Sequence, residues 1–493
     1  MAMNRWIKHF LIYGAGTILL NGIPFLLIPI YTRAVSASEY GVLELLNRSQ
    51  DFMMLIITMG MASTLATLYQ MEDTREGKLA LYSTAIFFLG MTSVVILAPV
   101  GLFPGKVSMA LFKSTEYSSL VVMFLLATYA EIIFQMSALF LQSEVRSSTY
   151  VALYTGRAFL SLILNAIFAF VFHMGLFGIA LATVIHTSLA AVISATITLR
   201  TTKLHFRSDK IKGMLRFGLP LVPGALAMFV LNNGDRYFLN AYSTKAEVGV
   251  YSVGYKLAAA TSTLVLVPFL KLWSVRMVEV SRREDGPRVI GVIATFLTAA
   301  CMFVTLAMSL FAPYLLLMLA NRSYAEAVPI IPIVGLSYVL FAWTVVMDSS
   351  FYVTKRTELK PVALLISCAV ILPLYMVLIK NYGMMGAAWS TFAGFSTFAT
   401  VTYIVGQRVY RAQYEFGRMA MILAIATGTF FLSRWTTGLS YLNFGLRLLL
   451  MAGFLGVVWS IALTREERGF ATEQVKLLAR KWNFGAGVDS TVS

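Results

Sequence analysis

Apolar runs separated by short polar breaks fill the chain from Phe10 to about residue 463. Most runs match or exceed the roughly 20 residues that carry a helix across a bilayer, and none shows the alternation of a barrel strand. The pattern predicts fourteen spanning helices. The first six lie near 10–32, 41–69, 79–101, 117–143, 149–172 and 174–199. The next six lie near 214–236, 246–271, 289–312, 329–352, 361–379 and 384–406, and the last two near 419–436 and 443–463. Arg5 and Lys8 precede the first run, but Phe10 to Tyr31 exceeds the ~7–15 residues of a signal core, so this run reads as a membrane helix. Residues 465–493 are polar. Ala471, Val475, Leu478 and Trp482 keep helical spacing beside Lys476 and Arg480, which predicts a basic amphipathic helix on a membrane surface before a disordered end.

Composition agrees with this reading. The 493 residues are 58% hydrophobic and 13% charged, about half the charged fraction of a soluble protein. The net charge of +16 acquires meaning from its placement. With the N-terminus in the cytoplasm, 27 of the 39 Lys and Arg fall on the cytoplasmic side and eight on the other, a topology signal that needs no nucleic acid. Both termini are then expected in the cytoplasm. Cys301 and Cys368 sit inside apolar runs and suggest neither a disulfide nor a metal site.

The chain also repeats itself. Glu39-Tyr40-Gly41-Val42 opens the second span and Glu247-Val248-Gly249-Val250 the eighth, 208 residues later. Gly175-Leu176-Phe177-Gly178 opens the sixth span and Gly383-Met384-Met385-Gly386 the twelfth, at the same offset. A six-helix unit restores orientation, so the halves are parallel repeats with a cavity expected between them. Residues 1–205 and 206–412 are the expected lobes, 413–464 two added helices, and 465–493 the tail. Paired prolines also mark the first helix of each half, Pro24 and Pro29 in one and Pro220 and Pro223 in the other. They are gating bends or tolerated kinks.

These features resemble the polysaccharide-transport branch of the multidrug/oligosaccharidyl-lipid/polysaccharide exporter superfamily. The stretch Asn232-Asn233-Gly234-Asp235-Arg236-Tyr237-Phe238-Leu239, followed by the Glu-Val-Gly-Val-Tyr opening, carries most of that resemblance. The Wzx-type O-antigen flippases belong to this branch, and the lipid II flippases are relatives. The resemblance covers roughly residues 5–465. It implies an all-α polytopic membrane protein with two V-shaped lobes around a central cavity. It further implies translocation of a polyprenyl-diphosphate-linked oligosaccharide across a bacterial inner membrane by alternating access, in lipopolysaccharide or other surface-polysaccharide biosynthesis. The expected partners are that lipid-linked glycan, membrane lipids and glycan polymerase or chain-length proteins.

Ionisable residues inside the spans are the candidate site, because each is costly in lipid. Glu44, Arg48 and Asp51 share one face of the second span. Residue 48 plus the offset is 256, a lysine, so equivalent helices carry a cation at the same depth. In one reading Arg48 and Lys256 face each other across the cavity and attract a diphosphate. In the other, Arg48 is a structural ion pair and Lys256 snorkels to headgroups. Arg157 is a third substrate contact in the inward-open cavity. Glu131, with Glu44 and Asp51, is a candidate for ion coupling, or else a fixed partner of Arg157. Asp235 and Arg236, read at the outer end of span seven, are gating candidates or a local pair. His186 reads as a packing residue, Asp348 and Arg447 as interface anchors. No nucleotide motif, nucleophile elbow or metal cluster stands out, so neither an enzyme nor a cofactor is expected. The expected energy source is a coupling ion (H+ or Na+), the membrane potential or substrate flux. The rivals are a small-molecule exporter of the same superfamily, a glycan polymerase or ligase, and a scaffold of a polysaccharide synthase.

Overall fold

A computed structural model describes residues 25–203, 205–436 and 438–462, with 464, 468 and 469. These residues form helices, and no strand occurs among them. Part of the expected first span and the expected tail helix lie outside the described residues.

Helix α1 (Phe25–Ala34) precedes α2 (Ala37–Thr58), which continues as α3 (Met61–Met71). The break falls at Met59 and Gly60, both with positive φ, 47° and 72°. Helix α4 (Arg75–Leu102), the short α5 (Pro104–Phe112), α6 (Ser118–Ser143), α7 (Ser147–Ala166) and α8 (Gly175–Thr202) complete the first half. The second half opens with α9 (Ser208–Gly218) and α10 (Val222–Tyr242). Pro220 lies in the 3-10 turn joining them and Pro223 in the first turn of α10, so this proline pair marks a joint between helices. Then come α11 (Lys245–Ala258) and α12 (Val267–Ser281), joined through a π turn, and α13 (Gly286–Leu319). Helices α14 (Ile330–Met347), α15 (Ser349–Val353), α16 (Leu359–Leu374) and α17 (Lys380–Val409) follow. Last are α18 (Phe416–Ser433) and α19 (Tyr441–Val457), packed on α13 and on each other.

Twelve helical segments among the described residues are long and apolar enough to span a membrane. One of them, Leu359–Val409, contains a non-helical Gly383 (φ 52°, ψ −133°). The expected count of fourteen rests on dividing that segment and on residues 10–24.

The 208-residue repeat has a physical basis in the fold. Ser36 accepts from the Glu39 amide (3.2 Å) and Glu39 accepts from the Ser36 amide (2.8 Å), a capping box that starts α2. Thr244, 208 residues on, accepts from the Glu247 amide (3.2 Å) and starts α11. The next motif glycines are where α2 and α11 cross. A methyl on Gly41 would overlap the Lys245 carbonyl, and one on Gly249 would overlap the Ala37 carbonyl, again an equivalent pair. Only glycine permits that two-fold contact. Gly175 and Gly383 both take positive φ, 54° and 52°. The π turns Ile167–Val171 and Tyr375–Ile379 also stand 208 residues apart.

Lys203 and Arg207, Arg282 and Arg283, and Lys355 and Arg356 stand in loops two spanning segments apart, so they fall on one face, here called the basic face. The halves meet mainly toward the other face. There α2 packs on α11, Thr32 donates to the Leu319 carbonyl (3.0 Å) and Asn240 to the Leu111 carbonyl (2.6 Å). Toward the basic face α12 packs instead on α13 and α15 of its own half. On that side α3 meets α9, where Gly60 and Gly218 touch backbone to backbone and Lys210 pairs with Glu72.

Candidate functional site: an ion network joining the two halves

The crossing of α2 and α11 is stitched by charge one to two turns beyond the paired glycines. Three spacings of four, four and three put Tyr40, Glu44, Arg48 and Asp51 along one face of α2. Lys256 reaches from α11 to the Glu44 carboxylate and donates to the Tyr40 hydroxyl (2.8 Å), lying 5.1 Å from that ring's centre. Arg48 Nε is 3.8 Å from the other Glu44 oxygen. Arg48 Nη1 bonds Asp51 (2.7 Å) and the side-chain oxygen of Asn233 on α10 (3.2 Å). Ser49 and Tyr237 share a further hydrogen bond (3.2 Å) between α2 and α10.

Arg48 and Lys256 are thus brought together through Glu44, one cation from each half on one carboxylate. Exposure separates their roles. Glu44 is 1% exposed, whereas the Arg48 and Lys256 side chains are 27% and 29% exposed and Asp51 48%. The carboxylate is enclosed and its two cations are reachable. With two positive and two negative groups the network is formally neutral, and an added anion competes with Glu44 for both cations. An apolar groove of about 590 Å³ lies beside it, lined by Met53 of α2, Phe124 and Thr128 of α6, and Phe229 and Tyr237 of α10.

Arg157 and Glu131 lie elsewhere in the first half, as a two-pronged pair on α7 and α6 (3.0 and 2.5 Å). Gln135 also donates to Glu131 (3.2 Å), and Arg157 lies over the Phe134 ring (4.6 Å). The structure therefore places the alternative partner of Arg157 in contact with it, and among the described residues neither is hydrogen-bonded or ion-paired to the Arg48 network. His186 is buried, with Nδ1 unpartnered among the described residues.

Asp235 and Arg236 do not stand at the end of a span. Helix α10 runs on to Tyr242, and both side chains are buried (0% and 4% exposed). Their adjacent charges pair (2.8 Å), Tyr251 donates to Asp235 (2.6 Å), Arg236 donates to the Asn232 carbonyl (2.8 Å), and its guanidinium lies 3.8 Å from the Tyr255 ring centre. A self-neutralising pair with partners continues inside a helix where a lone charge ends one. Asp348 and Arg447 are likewise buried in the protein. Asp348 pairs with Lys360 (2.6 Å), and Arg447 donates to the Leu310 carbonyl (2.7 Å).

Sequence reasoning missed Tyr40, Ser49, Asn233 and Tyr237. The first two stand one turn from and next to charges already singled out, and Asn233 and Tyr237 lie inside the Asn-Asn-Gly-Asp-Arg-Tyr stretch. Among the described residues no cluster of His, Cys, Asp or Glu could hold a metal ion.

Residues 7–273 match the family described as polysaccharide biosynthesis protein, which covers more than half of the chain. No curated protein matches the chain by sequence. Among solved structures, "Lipid II flippase MurJ, inward closed conformation" is similar over 92% of this chain and 99% of that one, with a TM-score of 0.74 at 12% identity. An inward-facing multidrug resistance MATE family transporter of the MOP superfamily matches over 79% and 94%, with a TM-score of 0.65 at 17% identity. A point mutant of the Vibrio cholerae MATE transporter VcmN matches over 81% and 96%, with a TM-score of 0.58 at 14% identity. The chain belongs to the polysaccharide biosynthesis protein family and has the fold of MurJ and the MATE proteins of the MOP exporter superfamily.

Proposed function

We propose that the chain is a non-catalytic flippase that carries a polyprenyl-diphosphate-linked oligosaccharide, an O-antigen or related surface-glycan unit, across the bacterial inner membrane. The basic face is the cytoplasmic one in this reading, and both termini are cytoplasmic. The halves 1–205 and 206–412 are the moving bodies. The single observation that carries the reading is the enclosed Glu44 holding two reachable cations, one from each half. A diphosphate entering from the basic face replaces Glu44 on Arg48 and Lys256. Displacement weakens the contact that holds α2 to α11, so substrate binding itself favours separation at the far face. Guanidinium and ammonium recognise the diphosphate and leave the sugar free to vary. An H+ or Na+ gradient acting through Glu131, Glu44 or Asp51 is the proposed energy source.

The test is export of surface glycan in cells carrying Arg48→Ala or Lys256→Ala. Each variant should abolish export at unchanged protein level. Full export from both would remove the proposed substrate contact. A drug-efflux phenotype with intact glycan export would favour a small-molecule exporter instead.

A further inference from the structure

Arg434 and Arg447, beside and within the last two helices, are two charges that the network above leaves unused. Arg447 lies six residues into α19 and is 8% exposed. It donates to the Leu310 carbonyl (2.7 Å), the Thr436 carbonyl (3.0 Å) and the Thr436 hydroxyl (3.1 Å). A guanidinium has five N–H donors, so two remain beyond these. Arg434, just past α18, is exposed and lies near the Phe430 ring (5.9 Å). Neither is ion-paired among the described residues, and Glu326 in the neighbouring turn pairs with neither. Residues 1–24 contain no Asp or Glu, and the acidic residues outside the described segments all follow α19.

Both arginines line one cavity of about 680 Å³ between α13, α14, α17, α18 and α19. Its remaining wall is largely apolar: Met302, Leu306, Ile333, Leu336, Phe430 and Trp389. Trp435 (85% exposed) and Tyr441 (99% exposed) stand beside the cavity, where amphipathic rings mark the headgroup level of a bilayer. Two cations at headgroup depth above an apolar pocket match a ligand with an anionic head and hydrocarbon below it. A buried cation without a carboxylate is costly in lipid and calls for such a counter-anion.

We infer that Arg434 and Arg447 form a binding site for the phosphate of an anionic membrane phospholipid, seated between α13 and the last two helices on the face opposite the basic loops. It is a lipid site separate from the Arg48–Lys256 network and does not depend on the transported substrate. The lipid ties α18 and α19 to α13 and completes the charge balance of Arg447.

The experiment is native mass spectrometry of the purified full chain, titrated with phosphatidylglycerol or phosphatidylcholine. The wild type should retain phosphatidylglycerol about tenfold more than phosphatidylcholine, and Arg434→Gln should lose most of that difference. Among the described residues the Arg434 side chain makes no hydrogen bond or ion pair and lies near the Phe430 ring, so its variant keeps the fold where Arg447→Gln removes three hydrogen bonds. Leu306→Trp, which fills the pocket, should reduce retention without changing charge. Equal retention of the two lipids, or unchanged phosphatidylglycerol retention in Arg434→Gln, overturns the site. Displacement of the lipid by millimolar inorganic phosphate would assign the arginines to a free anion and overturn the lipid assignment.

Discussion

Replacing Glu44 by Gln removes the carboxylate that holds a cation from each half and keeps its volume. Lys256 then loses its ion pair and keeps the Tyr40 hydroxyl with a neutral amide oxygen, while Arg48 keeps Asp51 and Asn233. Two unit charges about 4 Å apart attract by roughly 4 kcal/mol at an effective dielectric of about 20. Lys256 and Arg48 are more than a quarter exposed, so solvent screening cuts this to about 2 kcal/mol. That shifts the equilibrium between joined and separated halves by roughly 30-fold. The assay is pulsed electron paramagnetic resonance with spin labels at Thr115 and Arg322, exposed positions on the face where the halves meet, after replacement of Cys301 and Cys368. Wild type should give mainly one short distance, and Glu44→Gln should add a longer population. An unchanged distribution in Glu44→Gln would refute the view that this carboxylate holds the halves together.

Other expectations follow from the same contacts. Gly41→Ala forces a methyl against the Lys245 carbonyl and should lower stability by about 1–3 kcal/mol in thermal melts, while Gly428→Ala, facing open space, should stay within about 0.5 kcal/mol. Arg157→Ala leaves the largely enclosed Glu131 carboxylate with Gln135 but without a counter-cation, at a cost of about 3 kcal/mol, so the Glu131→Gln/Arg157→Ala double variant should melt higher than Arg157→Ala alone. If Glu131 couples transport to an ion, Glu131→Gln should abolish the ion dependence of flux in vesicles. The hydrogen bond from Lys210 holds the Glu72 carboxyl below its usual 4.5, against the opposing effect of burial. A depressed carboxylate stabilises above its unfolded value and loses that contribution as pH falls through the folded one. Protection of residues 208–218 against hydrogen exchange, relative to the intrinsic rate at each pH, should therefore fall only below pH 4.5, and Glu72→Gln should show the lowered protection at pH 7.

Much of this arrangement was legible in the chain because the repeat is written in residues with backbone roles. A cap, a crossing glycine and a positive-φ glycine each tolerate few substitutes, so Ser36 and Thr244, Gly41 and Gly249, and Gly175 and Gly383 keep register across 208 residues. The match of position 48 to 256 came from that register. What α2 and α11 do to each other did not, because the Lys256–Glu44 pair depends on the crossing geometry and Glu44 maps to Ser252, which is uncharged. Asp235 and Arg236 were placed at a helix end because charges commonly end apolar runs. Their mutual neutralisation, with Tyr251 and the Tyr255 ring as further partners, is a tertiary fact. The π turns leave no residue signature, and the Arg434–Arg447 cavity arises from packing of α13 with α18 and α19 that no local pattern encodes.

The account's central claim is that this chain moves a lipid-linked diphosphate glycan through the site shared by Arg48 and Lys256. The direct measurement is translocation of a defined polyprenyl-diphosphate oligosaccharide in liposomes containing the purified protein, read by access of an external glycosidase to the sugar. The expected result is protein-dependent translocation that is lost in Lys256→Ala and Arg48→Ala, while both variants reconstitute as well as wild type. Absence of translocation by the wild type, or wild-type rates in both variants, would contradict it.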